Sequence, residues 1–548
     1  MSVPKFQPVT ILLLAVVMAL SVLIPWYVTR AGEGVDVDSI FYLCQARTVV
    51  KDGVLEIPNG LGGLTARNYW SPLYPLTLAA LSHFGADALV VSRWLNMLLY
   101  PLGVLLVALL AARVSRSWWC GLLAAFLFAT APCIMQSHVV AMSDSLALAF
   151  TLLSLWLLVL YYDYGKFLLL GLAALAAGGA LLTRYDAVTQ IPVAFLFLAI
   201  YGPGLVRRRL AAAVGFVLIA GLPLMLYQFS HPQSSTMVGS PDVAINRDLA
   251  QAMVNDRKFK FYGLTHQHGL SAVRSYEDWL APIGEVPFAK RAIIMALLAL
   301  GLLAALAGSL RPPPPATPWR PDGLVLLMLA NLLAHEAILY INTIFLDPSF
   351  NLVARYHIPT FSFLIIIVVA ILAAWYRALP EASRRFNSRA VVVASMLLTL
   401  FFCTYAIGAV RWVRQADEGA LGLASPSWRD PQTLTLLRQL STTGPIYSNQ
   451  VKAIYLYTGR TDFYVMPFRA DLETGVPTPT FDQNMAAMTA ALTASKGSLV
   501  FFTADQPSLH RFASLDELKN NPALRISAQT NEATFFVAAA PPSAGAGH

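Results

Sequence analysis

VTILLLAVVMALSVLIPWYV (Val9–Val28) runs for twenty positions without a charged side chain, and the chain then turns acidic in VDVDSIFY (Val35–Tyr42). About 20 apolar residues are what a helix needs to cross a ~30 Å hydrocarbon core. The run is too long for a signal-peptide core and has no clean small-x-small cleavage site, so it reads as an uncleaved span. Ten further runs follow: Ala88–Ala112, Trp118–Gln136, Met142–Tyr162, Phe167–Thr183, Ala187–Tyr201, Leu210–Phe229, Ala292–Leu310, Leu324–Leu346, Ile358–Tyr376 and Ala390–Val410. Ala187–Tyr201 is the shortest and contains Pro192. The fold class this predicts is a polytopic α-helical membrane protein of about eleven transmembrane helices, with residues 1–410 as the membrane module.

Composition agrees. The 548 residues are 57% hydrophobic and 12% charged, with a mean hydropathy of +0.59. Soluble chains carry roughly twice that share of charge, so a soluble multidomain enzyme, a collagen-like chain, a disulfide scaffold and a disordered chain are all excluded. The net charge of +8 reflects cations at helix ends, since no basic stripe interleaves with aromatics as nucleic-acid binding requires. Of the four cysteines, only Cys44 lies in an aqueous segment, so no disulfide framework is indicated.

Lys and Arg in the short loops set the orientation. Lys5, Arg113, Arg116, Lys166, Arg207, Arg208, Arg209, Arg311, Arg320, Arg377, Arg384, Arg385 and Arg389 share one side, whereas the short loops opposite hold only Arg184 and Arg355. The N-terminus is therefore expected in the cytoplasm of a bacterial inner membrane and the C-terminus in the periplasm. Three long segments then lie outside: 29–87, 230–291 and the region from Arg411. Short β-rich runs (Pro445–Ser448, Phe463–Met466, Ser498–Thr503, Thr534–Ala538) alternate with helical stretches (Pro431–Leu440, Gln450–Tyr457, Asn484–Ala494). That pattern reads as a small α/β periplasmic domain over 411–540, ahead of a disordered tail at 541–548. Pro312–Pro315 is a stiff connector.

Polar residues gather on the outer rim. Asp36 and Asp38 open the first loop, either as solvated acids and caps of a helix over Ser39–Lys51 or as a general base raised in pKa by desolvation. Further along, aromatics and prolines in YWSPLYP (Tyr69–Pro75) beside an apolar stretch suggest a helix lying in the interface. Asp144, Arg184, Asp186 and Arg355 each abut a span. Singly, each reads as a cap or a snorkelling anchor. Together they offer the cations and carboxylates that a phosphate-bearing lipid and a general base require.

In order along the chain, Asp38 with Tyr42, Trp70-Ser71-Pro72-Leu73-Tyr74-Pro75, Ser143-Asp144-Ser145, Leu182-Thr183-Arg184-Tyr185 and Arg355-Tyr356-His357-Ile358-Pro359 resemble the GT-C glycosyltransferase superfamily. The similarity is to its bacterial protein O-mannosyltransferase and lipid A aminoarabinose transferase group. Ile446–Asn449 and Tyr457–Arg460 are similar to these enzymes as well. The resemblance implies a GT-C fold, a polyprenyl-phosphate-sugar donor, a lipid, glycan or protein acceptor on the outer face, and an aspartate of the first loop as base. The register with Tyr42 points to Asp38 rather than Asp36. Where the aminoarabinose enzymes carry a lysine before the proline pair, this chain has Trp70-Ser71-Pro72, so the donor phosphate falls to Arg355 or Arg184. Tyr42, Tyr69, Trp70, Asp144, Asp186, Tyr356 and His357 are the expected pocket residues.

No Walker loop is present, so an activated sugar must arrive on a lipid. No cofactor is required on this reading; Asp36 and Asp38 are weak candidates for a divalent cation. His266 and His268, near Glu277 and Asp278, lack a third clear zinc ligand. His335 and Glu336 lie within the ninth span and read equally well as functional residues or as a pair bonded inside the bundle. A flippase of lipid-linked sugars is the main alternative, but it predicts repeat symmetry, and none is visible; a non-catalytic assembly protein leaves the acidic loop unexplained.

The charge asymmetry generates a test. A reporter active only in the periplasm, fused after His548, is expected to be active; a signal from a cytoplasm-only reporter means a miscounted span, first of all Ala187–Tyr201.

Overall fold

The computed structural model describes residues 8–30, 32–60, 62–65, 71–230, 323–341, 354–378, 406–417 and most of 422–539. Among these, six helices are long and apolar enough to cross a membrane: Pro8–Val28, Ala88–Ser115, Asp144–Tyr164, Val206–Ser230, Gly323–Ile341 and Arg355–Ala374. Three shorter apolar helices, Trp118–Thr130, Phe167–Thr183 and Tyr185–Tyr201, coincide with further expected spans. The expected span Ala292–Leu310 lies outside the described residues, as does Ala390–Val410 up to residue 405, and so do the 231–291 part of the second outer loop with its histidines and Pro312–Pro315.

The chain divides into two compact units, Met1–Ala31, Asn68–Tyr74 and Leu89–Glu418 forming one and Gly32–Arg67, Pro75–Ala88 and Gly419–His548 the other. The helices are numbered α1 (Pro8–Val28), α2 (Val37–Asp52), α3 (Leu73–Ser82), α4 (Ala88–Ser115), α5 (Trp118–Thr130), α6 (Pro132–Ser137), α7 (Asp144–Tyr164), α8 (Phe167–Thr183), α9 (Gln190–Tyr201), α10 (Val206–Ser230), α11 (Gly323–Ile341) and α12 (Ile358–Ala378). The first unit is a helical bundle in which α7 packs on α8, α10 on α8 and α9, and α11 on α12. Small residues let the backbones approach. A Cβ on Gly178 of α8 would come within 2.8 Å of the Ala220 carbonyl of α10, and one on Gly121 of α5 within 2.6 Å of the Ala108 carbonyl of α4.

One expected span is broken. Trp118–Gln136 is two helices, α5 and α6, because Ala131 is extended (ψ 122°) ahead of Pro132 at the first position of α6. A residue before proline is pushed out of the helical region, and proline itself has no N–H to donate.

Helix α7 is tied at both ends. At its C-terminal end Asp163 receives the Arg113 Nε–H of α4 at 2.7 Å, with a second, shorter contact from Nη2. At the other end Asp144 is its first residue. Ser145 donates to the Asn96 side chain of α4, and Asn96 donates in turn to the Val140 carbonyl at 3.0 Å. These buried polar contacts fix where α7 begins.

The second unit is built on a five-stranded sheet: β3 (Ile446–Ser448), β4 (Phe463–Val465), β5 (Ser498–Phe502), β6 (Leu524–Gln529) and β7 (Ala533–Ala538), in the order β4-β3-β5-β7-β6. β3 pairs parallel with β4 and β5, and β7 antiparallel with β5 and β6. Asn449 clamps β5 from both sides of one residue, donating to the Phe502 carbonyl and accepting from its N–H, both at 2.8 Å. A small hairpin, β1 (Ile57–Pro58) with β2 (Leu64–Thr65), belongs to the same unit. Its loop adds to the edge of β4: the Gly62 N–H donates to the Phe463 carbonyl and the Val465 N–H to the Gly60 carbonyl, each at 2.9 Å. Gly62 sits at φ +85°, and a Cβ there would fall 2.3 Å from the Tyr464 hydroxyl, so glycine is required. Helix α2 belongs to this unit too, with Arg47 bonded to both oxygens of Asp87 at 3.1 Å and lying over the Tyr455 ring. Cys44 is fully buried beside them, and burial pushes its thiol up to about 11.

Candidate active site

The first unit brings Asp144, Arg184, Asp186, Arg355 and Tyr356 to one cavity, together with Thr151, Gln190, Asn331 and His335. Arg184 follows the last residue of α8, and Asp186 lies in the 3-10 turn Tyr185–Thr189 that leads into α9. Arg355 and Tyr356 occupy a second 3-10 turn, Ala354–His357, that leads into α12. Three separate helix ends therefore deliver the charged groups.

Arg184 is held by two carboxylates. Its Nη1–H donates to Asp144 at 2.6 Å, and Nη2–H and Nε–H reach Asp186 Oδ2 at 2.9 and 3.2 Å. The Asp144 side chain is 5% exposed and that of Arg184 18%. A guanidinium gripped on two edges in so little solvent has a fixed plane. The Tyr356 ring lies 5.3 Å from the Arg184 guanidinium and 4.9 Å from that of Arg355, so one aromatic ring serves both cations. Arg355 also donates to the Tyr356 hydroxyl at 3.0 Å and approaches the Met142 sulfur at 3.9 Å.

The second unit holds the other candidates. Asp36 is exposed, and Asp38 is half-buried in the first turn of α2. The helix starts at Val37, two residues before the expected start, and Ser39 Oγ accepts from the Asp36 N–H at 2.9 Å. Tyr42 is buried on the same helix, 6% exposed. Tyr69 and Trp70 lie outside the described residues. Among the described residues, no group of three or more His, Cys, Asp or Glu side chains is disposed to hold a metal ion.

In sequence, His335 and Glu336 fit either a functional role or a pair bonded inside the bundle. Both reach the second 3-10 turn: the His335 Nε2–H donates to the Tyr356 carbonyl at 3.0 Å, and the His357 Nδ1–H donates to Glu336 at 2.8 Å. Gln190 and Asn331 were missed altogether. Each is an amide in an apolar run, and its only sequence signal is its polarity.

The cavity these residues enclose is about 20 Å³, room for about one water molecule. The cluster is closed on itself, and a phosphate entering it must take over contacts that Arg355 now makes.

Residues 71–227 match a family model described as dolichyl-phosphate-mannose-protein mannosyltransferase. No curated protein sequence matches the chain. Among solved structures, the chain is similar to ArnT from Cupriavidus metallidurans bound to undecaprenyl phosphate. The identity is 15% and the TM-score 0.55, over 95% of this chain and 97% of that one. The chain has the GT-C fold. It is also similar to the archaeal oligosaccharyltransferase AglB from Archaeoglobus fulgidus, in complex with an inhibitory peptide and a dolichol-phosphate. There the identity is 14% and the TM-score 0.53, over 89% of this chain and 69% of that one. Asp144, Arg184 and Asp186 lie inside the family-matched segment.

The carboxylate cage of Arg184 has a measurable consequence for stability. Arg184→Met leaves two carboxylates unpaired and is expected to destabilise by about 3–5 kcal/mol, whereas replacing all three with apolar residues recovers most of that loss. Melting temperatures of the full-length protein in detergent check this; a triple variant no better than Arg184→Met contradicts it.

Proposed function

We propose that the chain is an inverting glycosyltransferase that moves a sugar from a polyprenyl-phosphate donor to an acceptor at the outer face of a bacterial inner membrane. The observation that carries this reading is the Arg184–Asp144–Asp186 cluster with Arg355, set at the end of α7 in a GT-C fold. The relatives in complex with undecaprenyl phosphate and dolichol-phosphate support a lipid-phosphate donor.

The chemistry follows from the groups available. The bond from the anomeric carbon to the phosphate oxygen breaks, and the polyprenyl phosphate departs with its electron pair. Arg184 already satisfies two carboxylates, so its role is to fix the site's shape and charge. Arg355 donates to the Tyr356 hydroxyl and approaches the Met142 sulfur in the same cavity. It takes the phosphate, its planar fork matching two oxygens where an ammonium would meet them as a point charge. Asp38 accepts the proton of the acceptor hydroxyl as that oxygen attacks the anomeric carbon, and one in-line displacement inverts the centre. Asp36 is the second candidate for the base. The reaction so written calls on no divalent ion; Asp36 and Asp38 are the carboxylates that would take one.

The test incubates purified full-length protein with radiolabelled polyprenyl-phosphate sugars and lipid, glycan and peptide acceptors. Transfer is expected from at least one donor; no transfer and no donor binding overturns the proposal. In the active pair, Asp38→Asn lowers turnover by roughly 10²–10⁴-fold with donor binding retained. A larger loss in Asp36→Asn moves the base there. Arg355→Lys weakens donor binding by about 1.5–3 kcal/mol, the worth of a charged hydrogen bond, while its melting temperature holds. Unchanged donor affinity in both Arg355→Lys and Arg184→Lys removes the phosphate from this cluster.

A further inference from the structure

Helix α11 is apolar for most of its 19 residues but carries two adjacent ionisable residues, His335 and Glu336, in its second half. Ionisable groups inside an apolar bundle are costly and need partners. Asn331, one turn earlier, satisfies itself locally by donating to the Leu327 carbonyl of its own helix at 2.8 Å. His335 and Glu336 behave differently. Each spans 21 residues of sequence to the turn Ala354–His357, one meeting the Tyr356 backbone and the other the His357 side chain.

Consecutive helical residues point about 100° apart, so two that reach one short turn must grip it from two sides. The acceptors fix the tautomers, because a carbonyl and a carboxylate can only accept: His335 carries its proton on Nε2 and His357 on Nδ1. His335 is 4% exposed and His357 fully buried, so water competes little for either bond. A single 3-10 turn has few hydrogen bonds of its own and poor geometry in those it has. What holds it must come from outside, and α11 supplies it.

We propose that His335 and Glu336 are positioning residues that set the orientation of Arg355 for the donor phosphate. The proposal rests on the reading of Arg355 given above. The brace fixes the Tyr356–His357 peptide, one residue beyond Arg355, and with it the backbone that carries the Tyr356 ring near both guanidiniums. Arg184 needs no such support, since two carboxylates already hold it.

The experiment is binding of undecaprenyl phosphate to purified full-length protein, read alongside melting temperature. Glu336→Ala and His335→Ala are each expected to weaken binding about tenfold, within the range for directly coupled residues. Glu336→Gln, whose amide oxygen still accepts from His357, keeps it within about threefold. Glu336→Asp, one methylene short of the contact, serves where the alanine variant does not fold, and behaves like it. The deciding arm is the Arg355→Lys background. A brace that acts through Arg355 loses its effect there, so the additional loss on Glu336→Ala falls below about twofold; full multiplication of the two losses overturns the proposal. Variants that lower melting temperature while binding normally overturn it as well. Wild-type protein that does not bind undecaprenyl phosphate overturns the donor reading itself, and the brace with it.

Discussion

A charge inside an apolar helix bundle has to be met by an opposite charge, and α7 meets that requirement twice. Its first residue, Asp144, holds Arg184, and its penultimate residue, Asp163, holds Arg113. The two carboxylates are about 29 Å apart along the helix axis, close to the thickness of a hydrocarbon core. Breaking either pair strands a charge among apolar side chains, so each pair fixes the register of α7 against its neighbours. The rest of the site is built on that register. Asp144 determines where the Arg184 guanidinium lies, Arg184 draws Asp186 and the turn after α8 into place, and the Tyr356 ring closes over both cations.

This arrangement separates two jobs that the sequence leaves undivided. Arg184 and Arg355 look equivalent in the chain, each a lone cation at the mouth of a span. In the structure one is clamped between carboxylates, and the contacts of the other include the Tyr356 hydroxyl and the Met142 sulfur. A guanidinium already matched by two anions gains little from a third.

Much of the helical framework was legible because the hydrocarbon core imposes a length and a composition that few other structures share. Six of the expected spans coincide with helices long and apolar enough to cross a membrane. The break at Ala131–Pro132 is marked in the sequence by Pro132 alone, and the continuous apolarity around it masks that signal. The meeting of Asp144, Arg184, Asp186, Arg355 and Tyr356 was legible from their shared position at span ends. The pairing of Asp144 with Arg184 was not, because a separation of 40 residues gives no periodicity to read. Nor was the attachment of the first loop to the C-terminal sheet, which runs through backbone bonds at Gly60 and Gly62 that any sequence can make. β6 escaped for a simpler reason: Arg525, Ile526 and Ser527 are exposed, so its composition resembles a loop. Tyr69 and Trp70 lie outside the described residues, and so does the loop with His266 and His268.

The central claim is a single displacement in which the phosphate stays on the lipid and a carboxylate takes the acceptor proton. The configuration of the new glycosidic bond tests it most directly, read from the anomeric proton coupling of the product by NMR beside that of the donor. The account predicts an inverted anomeric centre, with polyprenyl phosphate released intact and no phosphorus in the product. A retained configuration, or a product that keeps the phosphate, contradicts it.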